Sequence, residues 1–172
     1  MNNLTFITRE EYLRGEGRGR YFKGRWAYAS KVIGKIRTLD GVERVLELGP
    51  GPGGRPIVNG ADTMGRTLPC DKNCKFIHDA RIVPWPFPDK SYDLFIALQV
   101  FEHLRGRQRE AFAEVRRIAH RAILTLPFQW RSENHNIGWK EYRKWFGEKG
   151  YGTELVENGK CRKYMLCFDF RP

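Results

Sequence analysis

Apolar positions along the chain follow two periods. Ala111, Phe112, Val115, Ile118 and Ala119 recur at i, i+1, i+4, i+7 and i+8 within Arg107 to His120. Charged residues take the opposite face, which predicts an amphipathic helix. Tyr92 to Leu98, YDLFIAL, is apolar on both faces and predicts a strand in a sheet covered by helices. Val42 to Leu48 reads as a first buried strand, Ile57 to Asp62 as a second and Lys75 to His78 as a third. Arg121 to Leu126, stopped by Pro127, is a fifth in order. Thr8 and Glu11 make a T-x-x-E capping box that opens a short first helix. Trp26 to Leu39 predicts a second helix ending at Asp40-Gly41, and Trp139 to Phe146 a later one closed by Gly147. The proline-broken run VPWPFPDKS fits no regular element. Gly152 to Glu157 and Tyr164 to Phe170 predict a closing pair of strands. Strands alternating with helices predict an α/β fold with a mostly parallel sheet, helices on both faces and an antiparallel C-terminal edge strand. Neither a repeat nor a linker interrupts the pattern, so residues 1–172 read as one domain with 1–41 as an N-terminal helical extension.

Composition narrows this little. Hydrophobic residues at 41% and aromatics at 13% suit a globular chain. The opening MNNLTFITREEYL is acidic and lacks an apolar centre, and no apolar run approaches the roughly 20 residues of a membrane span. A cytoplasmic location is the expectation. Charge does change the picture: a net +11 favours anionic partners, either nucleic acid or phosphorylated molecules. Arg14 to Arg25, RGEGRGRYFKGR, interleaves arginine, glycine and aromatics as some RNA-binding segments do. Cys70 and Cys74 in PCDKNC, with Cys161 and Cys167 far downstream, do not make paired C-x2-C knuckles. Free thiols and no metal are expected.

Val45 to Gly54, VLELGPGPGG, holds the first chemistry. Gly49, Gly51 and Gly54 satisfy G-x-G-x-x-G behind a strand, the pattern of a pyrophosphate cradle. Such a cradle works through backbone N–H groups at a helix N-terminus. Pro50 and Pro52 carry no N–H, and only eight residues separate Leu48 from Ile57, too few for a crossover helix. No Lys-Ser or Lys-Thr closes a P-loop. Glu47, at the strand end, can instead receive an ammonium group. A ligand with an amino-acid tail, a sulfonium and a nucleoside, but no phosphate, fits. S-adenosylmethionine is that ligand.

At these residues the chain resembles the class I S-adenosylmethionine-dependent methyltransferases. ELGPGPG, Glu47 to Gly53, is similar to the family's acidic-x-G-x-G-x-G motif. HDARIVPWPFPDKSYDLFIALQVFEHL, His78 to Leu104, is similar to its Asp-Ala pair, PFPD-x-S-x-D loop and V-x-EHL strand end, and AILTLP to its fifth strand. The likeness is to a short, methyltransferase type 11-like member with an abbreviated first helix and a Rossmann-like sheet. It implies that Glu47 and the backbone at Gly49, Gly51 and Gly53 hold the methionine part. It implies that Asp62, ending the second strand, takes the ribose hydroxyls, with Asp71 the alternative. Asp79 would take the adenine amino group, Ala80 would give its amide to the ring, and Gln99 would line the methionine side.

Methyl transfer from a sulfonium is an in-line displacement that alignment alone accelerates, so no catalytic triad is required. A base is needed only when the acceptor sheds a proton. Glu102, His103 and His135 are the candidates, and Trp85, Phe87 and Trp130 could wall a cationic sulfonium. ALQVFEH stands where an N-P-P-[YF] run would mark amide or base-nitrogen methylation. The leading acceptor is therefore a small or sugar-like molecule, with an anionic one suiting the charge. An RNA methyltransferase and a cofactor-binding but non-catalytic regulator are the alternatives.

Overall fold

The computed structural model describes residues 3–14, 20–50, 55–65, 73–127, 130–132, 135–137, 139–147, 151–158 and 161–172. Side chains are described for these except at 20–24, 130–132, 135–137, 139, 151–158 and 161–162. In chain order the elements are α1 (Arg9–Arg14), α2 (Arg20–Arg37), β1 (Val45–Leu48), β2 (Asp62–Gly65), β3 (Phe76–Ile77), β4 (Tyr92–Leu98) and a 3₁₀ turn at Phe101–His103. There follow α3 (Gln108–Ile118), β5 (Ala119–Pro127), β6 (Trp130–Ser132), β7 (His135–Ile137), α4 (Trp139–Phe146), β8 (Tyr151–Asn158) and β9 (Cys161–Asp169). One sheet runs β3-β2-β1-β4-β5-β9-β8. Its first five strands are parallel, and β9 and β8 close it antiparallel. The Rossmann-like α/β expectation holds. Among the described residues no helix is long and apolar enough to cross a membrane.

The period of two along the strands sorts the core into two layers. Leu94, Ile96 and Leu98 of β4 join Val45, Ile123 and Met165 beneath Tyr28, Ala29, Val32, Ile33 and Ile36 of α2. Phe95 and Ala97, the residues between, join Leu46, Leu48, Ala122, Leu124 and Leu166 beneath Phe112 and Val115 of α3 and Tyr142 and Phe146 of α4. The doubly apolar strand is thus the central one, covered on both sides. The capping box forms as expected: Thr8 N–H donates to Glu11 Oε2 at 2.8 Å and Glu11 N–H to Thr8 Oγ1 at 3.2 Å. Gly147 closes α4 at φ 75°, its N–H donating to Arg143 O at 2.8 Å.

Two expectations are corrected. The second strand is Asp62–Gly65, not Ile57 to Asp62. Ile57 and Val58 are buried, but in the α2-side layer, where they pair with the N-terminal segment. Ile7 N–H donates to Ile57 O at 3.1 Å and Asn59 N–H to Thr5 O at 3.0 Å. The apolar pair thus marks contact with residues 5–7, and a turn at Gly60 (φ 78°) delays the strand. No helix lies within the described residues between β1 and β2. The second correction concerns SENHNIGW, residues 132–139, where the sequence pattern predicts no strand. It carries β7, which pairs antiparallel with β6 through Trp130 opposite Ile137 and Ser132 opposite His135. Three-residue strands are too short for alternation to announce them.

Gly49 turns the chain off β1 at φ 59°, and its N–H donates to Met64 O at 2.8 Å. A Cβ there would lie 2.8 Å from Val100 Cγ2. Gly49→Ala is expected to cost about 1–3 kcal/mol in denaturant titration, since it adds both a left-handed strain and a clash. Adding Val100→Ala should relieve the clash, so the double variant loses less than the sum of the two singles.

Candidate active site

In an open α/β sheet ligands gather beyond the carboxyl ends of the strands. Four of the expected residues meet there. Glu47 is the next-to-last residue of β1, and Gln99, Glu102 and His103 follow β4. Because Val45 faces α2 and Leu46 and Leu48 face the other layer, alternation sends Glu47 toward α2. It is fully buried. Its Oε2 accepts the Ile57 N–H at 2.7 Å, while Oε1 has no hydrogen-bond partner. Burial pushes the carboxyl up to about 8, against the pull of the Ile57 N–H and the Arg25 charge.

Glu102 repeats the situation in the 3₁₀ turn that follows β4. It is 6% exposed and its Oε2 is also without a partner. Burial lifts it to about 7, with its own backbone N–H, Lys163 and Arg25 pulling the other way. Burial and the Arg25 charge hold His103 below its ordinary value, so it is a neutral imidazole at pH 7. Tyr142 is raised by burial and by the Glu102 charge, and its hydroxyl donates to Pro127 O at 2.5 Å. Gln99 sits at φ 59°, its N–H donating to Thr125 O at 2.9 Å. Its Oε1 accepts from Lys163 Nζ at 2.5 Å and its Nε2 reaches Thr125 Oγ1 at 3.3 Å. The side-chain amide is therefore fixed from both ends.

Asp79 and Ala80 lie just past β3. Arg81 holds the Asp79 carboxylate through Nη2 to Oδ2 at 2.6 Å and Nε to Oδ1 at 3.0 Å, with its own N–H adding a bond to Oδ1 at 3.1 Å. Ala80 is buried, and its carbonyl accepts the Trp85 indole N–H at 3.1 Å. Trp85 is itself core: 2% exposed, stacked on Phe95 at 5.7 Å. Phe87 packs edge-on to Phe76 and Tyr92 in the same layer. Neither is a pocket wall. The loop that carries them is stapled to α3, since Arg117 donates to Trp85 O and Phe87 O at 3.0 and 2.7 Å.

Asp62 needs a correction. It opens β2 instead of ending it, level with Leu46 and three residues before Gly65, where the strand ends. Its carboxylate is bound by Lys75 Nζ at 2.6 Å and by the hydroxyl of Tyr92, the first residue of β4, at 2.8 Å. Gly51, Gly53 and Asp71 lie outside the described residues, as do the side chains of His135 and Trp130. Among the described residues no three His, Cys, Asp or Glu side chains converge as a metal site.

Sequence reasoning missed Arg25, Lys163 and Tyr142. Arg25 read as one more basic residue of an Arg-Gly stretch, and only the packing of α2 on the sheet brings it to the strand ends. Two buried carboxyls with unbonded oxygens, one at the end of β1 and one in the turn after β4, can do two things. One can take an ammonium group, and the other, poised near neutrality, can take a proton. Glu47 thus fits the amino-acid end of a ligand such as S-adenosylmethionine.

Glu47 keeps its proton to about pH 8 in the fold but releases it near its ordinary 4.5 once unfolded. Between these values the folded state binds more protons, so stability is full below the window and falls as pH rises through it. Glu47→Gln cannot ionise and is expected to flatten part of the fall in Tm between pH 5 and 8, followed by circular dichroism. An unchanged slope would mean that the carboxyl is ionised in the fold.

Residues 46–122 match the family model described as a methyltransferase domain. No curated protein is similar enough in sequence to match the chain. Among solved structures, the complex of the Haloferax volcanii Trm112 methyltransferase activator with a methyltransferase contains a chain 13% identical, with a TM-score of 0.65 and 94% of each chain covered. An S-adenosylmethionine-dependent methyltransferase from Aquifex aeolicus is 15% identical over 94% of this chain and 98% of that one, with a TM-score of 0.53. Magnesium protoporphyrin IX methyltransferase from Synechocystis PCC 6803, solved with bound S-adenosylmethionine, is 17% identical over 90% and 86%, with a TM-score of 0.53. At these identities the structures speak for the fold.

Proposed function

We propose that the chain, whose residues 46–122 match a methyltransferase domain, is a class I S-adenosylmethionine-dependent methyltransferase that methylates a small-molecule or sugar-like acceptor by in-line transfer, with Glu102 as the general base. The observation that carries this reading is a pair of buried carboxyls, each with one unbonded oxygen: Glu47 at the end of β1 and Glu102 in the turn that follows the neighbouring β4. The cofactor would supply a methyl group activated on a sulfonium. Glu47, with the backbone at Gly49, Gly51 and Gly53, holds the methionine end. Asp79, kept in place by Arg81, takes the adenine amino group, and the Ala80 amide meets the ring. Gln99, its amide fixed by Lys163 and Thr125, lines the methionine side. The ribose role passes from Asp62 to Asp71.

On the acceptor side, the sulfonium held by Glu47 and the glycine turn would supply its methyl group to the attacking atom, the electron pair of the broken bond remaining on sulfur. The acceptor's proton passes to Glu102. His103, neutral at pH 7, and His135 complete the acceptor side by accepting or donating hydrogen bonds. A base as deeply buried as Glu102 favours an acceptor small enough to reach it over the groups of a folded RNA.

Calorimetry with S-adenosylmethionine tests the first half. Wild type should bind, and Asp79→Ala should weaken binding about tenfold or more, the worth of a hydrogen bond to a charged group. Absence of binding by wild type would end the reading. Glu102→Gln should lower kcat by roughly 10²–10⁴ with cofactor affinity retained, and should remove the rise of rate through about pH 7. Methyl incorporation into RNA, with binding that falls steeply with salt, would replace the small acceptor by a nucleic acid.

A further inference from the structure

We propose a second ligand site at the amino end of β5, where Arg121 binds the carboxylate of a small monocarboxylic acid with an apolar body. The site stands at the opposite end of the sheet from Glu47 and Glu102, and it is independent of the methyl-transfer reading.

Arg121 is the third residue of β5, a strand buried along nearly its whole length. Ile123, two residues on, faces α2, so alternation turns Arg121 the same way. The side chain is only 8% exposed. Its Nη1 donates to Asp40 O, just past α2, at 2.6 Å, and its Nε is buried with no hydrogen-bond partner. Asp169 stands opposite Arg121 in the β5–β9 register, yet its carboxylate goes to Arg171. Arg171 Nε donates to Oδ1 at 2.9 Å and Arg171 Nη2 to Oδ2. These bonds hold the Asp169 carboxyl down at about 2 against the effect of burial, so it stays ionised and matched. Among the described residues no carboxylate forms an ion pair with Arg121. A guanidinium kept from water with one hydrogen bond and no counter-charge is costly.

A cavity of about 370 Å³ opens at this guanidinium, between the end of α2 and the β5–β9 pair. That is within the usual small-molecule range of about 300–1,000 Å³. Leu39, Ile123 and Cys167 give it an apolar wall, and Lys35 stands exposed at its rim. A second cavity of about 550 Å³ shares Arg121, Asp169 and Arg171 with it. Nε occupies one edge of the guanidinium with Nη2, so an anion that completes Nε meets two parallel N–H groups. A carboxylate takes such an edge with both its oxygens. The wall beyond matches a hydrocarbon body, and Lys35 adds its charge at the entrance.

The test measures octanoate, 1-octanol and inorganic phosphate by calorimetry on wild type, Arg121→Gln and Arg121→Lys. Wild type should bind octanoate about tenfold or more tightly than octanol, the worth of a hydrogen bond to a charged group, and more tightly than phosphate. Arg121→Gln should bind the two eight-carbon ligands alike. Arg121→Lys keeps the charge without the paired edge and should keep part of the preference. It serves alone if the glutamine variant does not fold by circular dichroism. Saturating S-adenosylhomocysteine should leave octanoate binding unchanged. A preference of wild-type size in either variant overturns the proposal, as does octanoate displaced by S-adenosylhomocysteine. Phosphate bound more tightly than octanoate overturns it too. Equal binding of octanoate and octanol, or no octanoate binding at millimolar concentration, would leave Arg121 as a clasp on Asp40 alone and end it.

Discussion

A carboxyl group held out of water at the end of β1 is the constraint around which the upper half of the molecule is arranged. An ionised carboxylate in an apolar site is costly unless it is paired and hydrogen-bonded. The fold meets that cost in part with the Ile57 N–H and in part by keeping the proton on. What stays unmet is one oxygen of Glu47. Everything proposed for the site follows from this shortfall. In the proposed site a ligand's cation would complete that pairing.

The central strand works in the opposite sense. β4 is buried along nearly all its length, and its two faces are claimed by α2 on one side and by α3 and α4 on the other. At its carboxyl end the chain must leave a dry layer abruptly, through Gln99 in a left-handed conformation and a 3₁₀ turn. That exit places Glu102, three residues beyond Gln99, buried in the turn. The site therefore stands where two rigid, covered strands run out, and its precision comes from the core beneath it.

Much of this was legible in the residues. YDLFIAL gave the central strand with its boundaries, and the 3.6-residue period gave α3 to within two residues. ELGPGPG and the Asp-Ala pair located the carboxyl ends of β1 and β3. What could not be read depended on partners remote in sequence. Ile57-Val58 looks like a strand because it is apolar, and only its pairing with residues 5–7 shows that it is buried without joining the sheet. Asp62 followed that misplacement by one strand length. Trp85 and Phe87 were candidates for a pocket because aromatic faces suit a cationic sulfonium. Arg117, from a helix further on, draws their loop into the core. Arg25 and Lys163, separated by most of the chain, carry no local pattern that joins them to Glu102.

The bond between Glu47 Oε2 and the Ile57 N–H also closes a ring. The glycine-proline turn leaves β1 at one side of that bond and returns at the other, and Ile57 is held from outside by Ile7 as well. Ile57 is thus a fastening shared by two segments remote in sequence, giving its N–H to the end of β1 and its carbonyl to the N-terminal segment. A shift at either partner is felt by the other through this one residue, which works as a buckle between them.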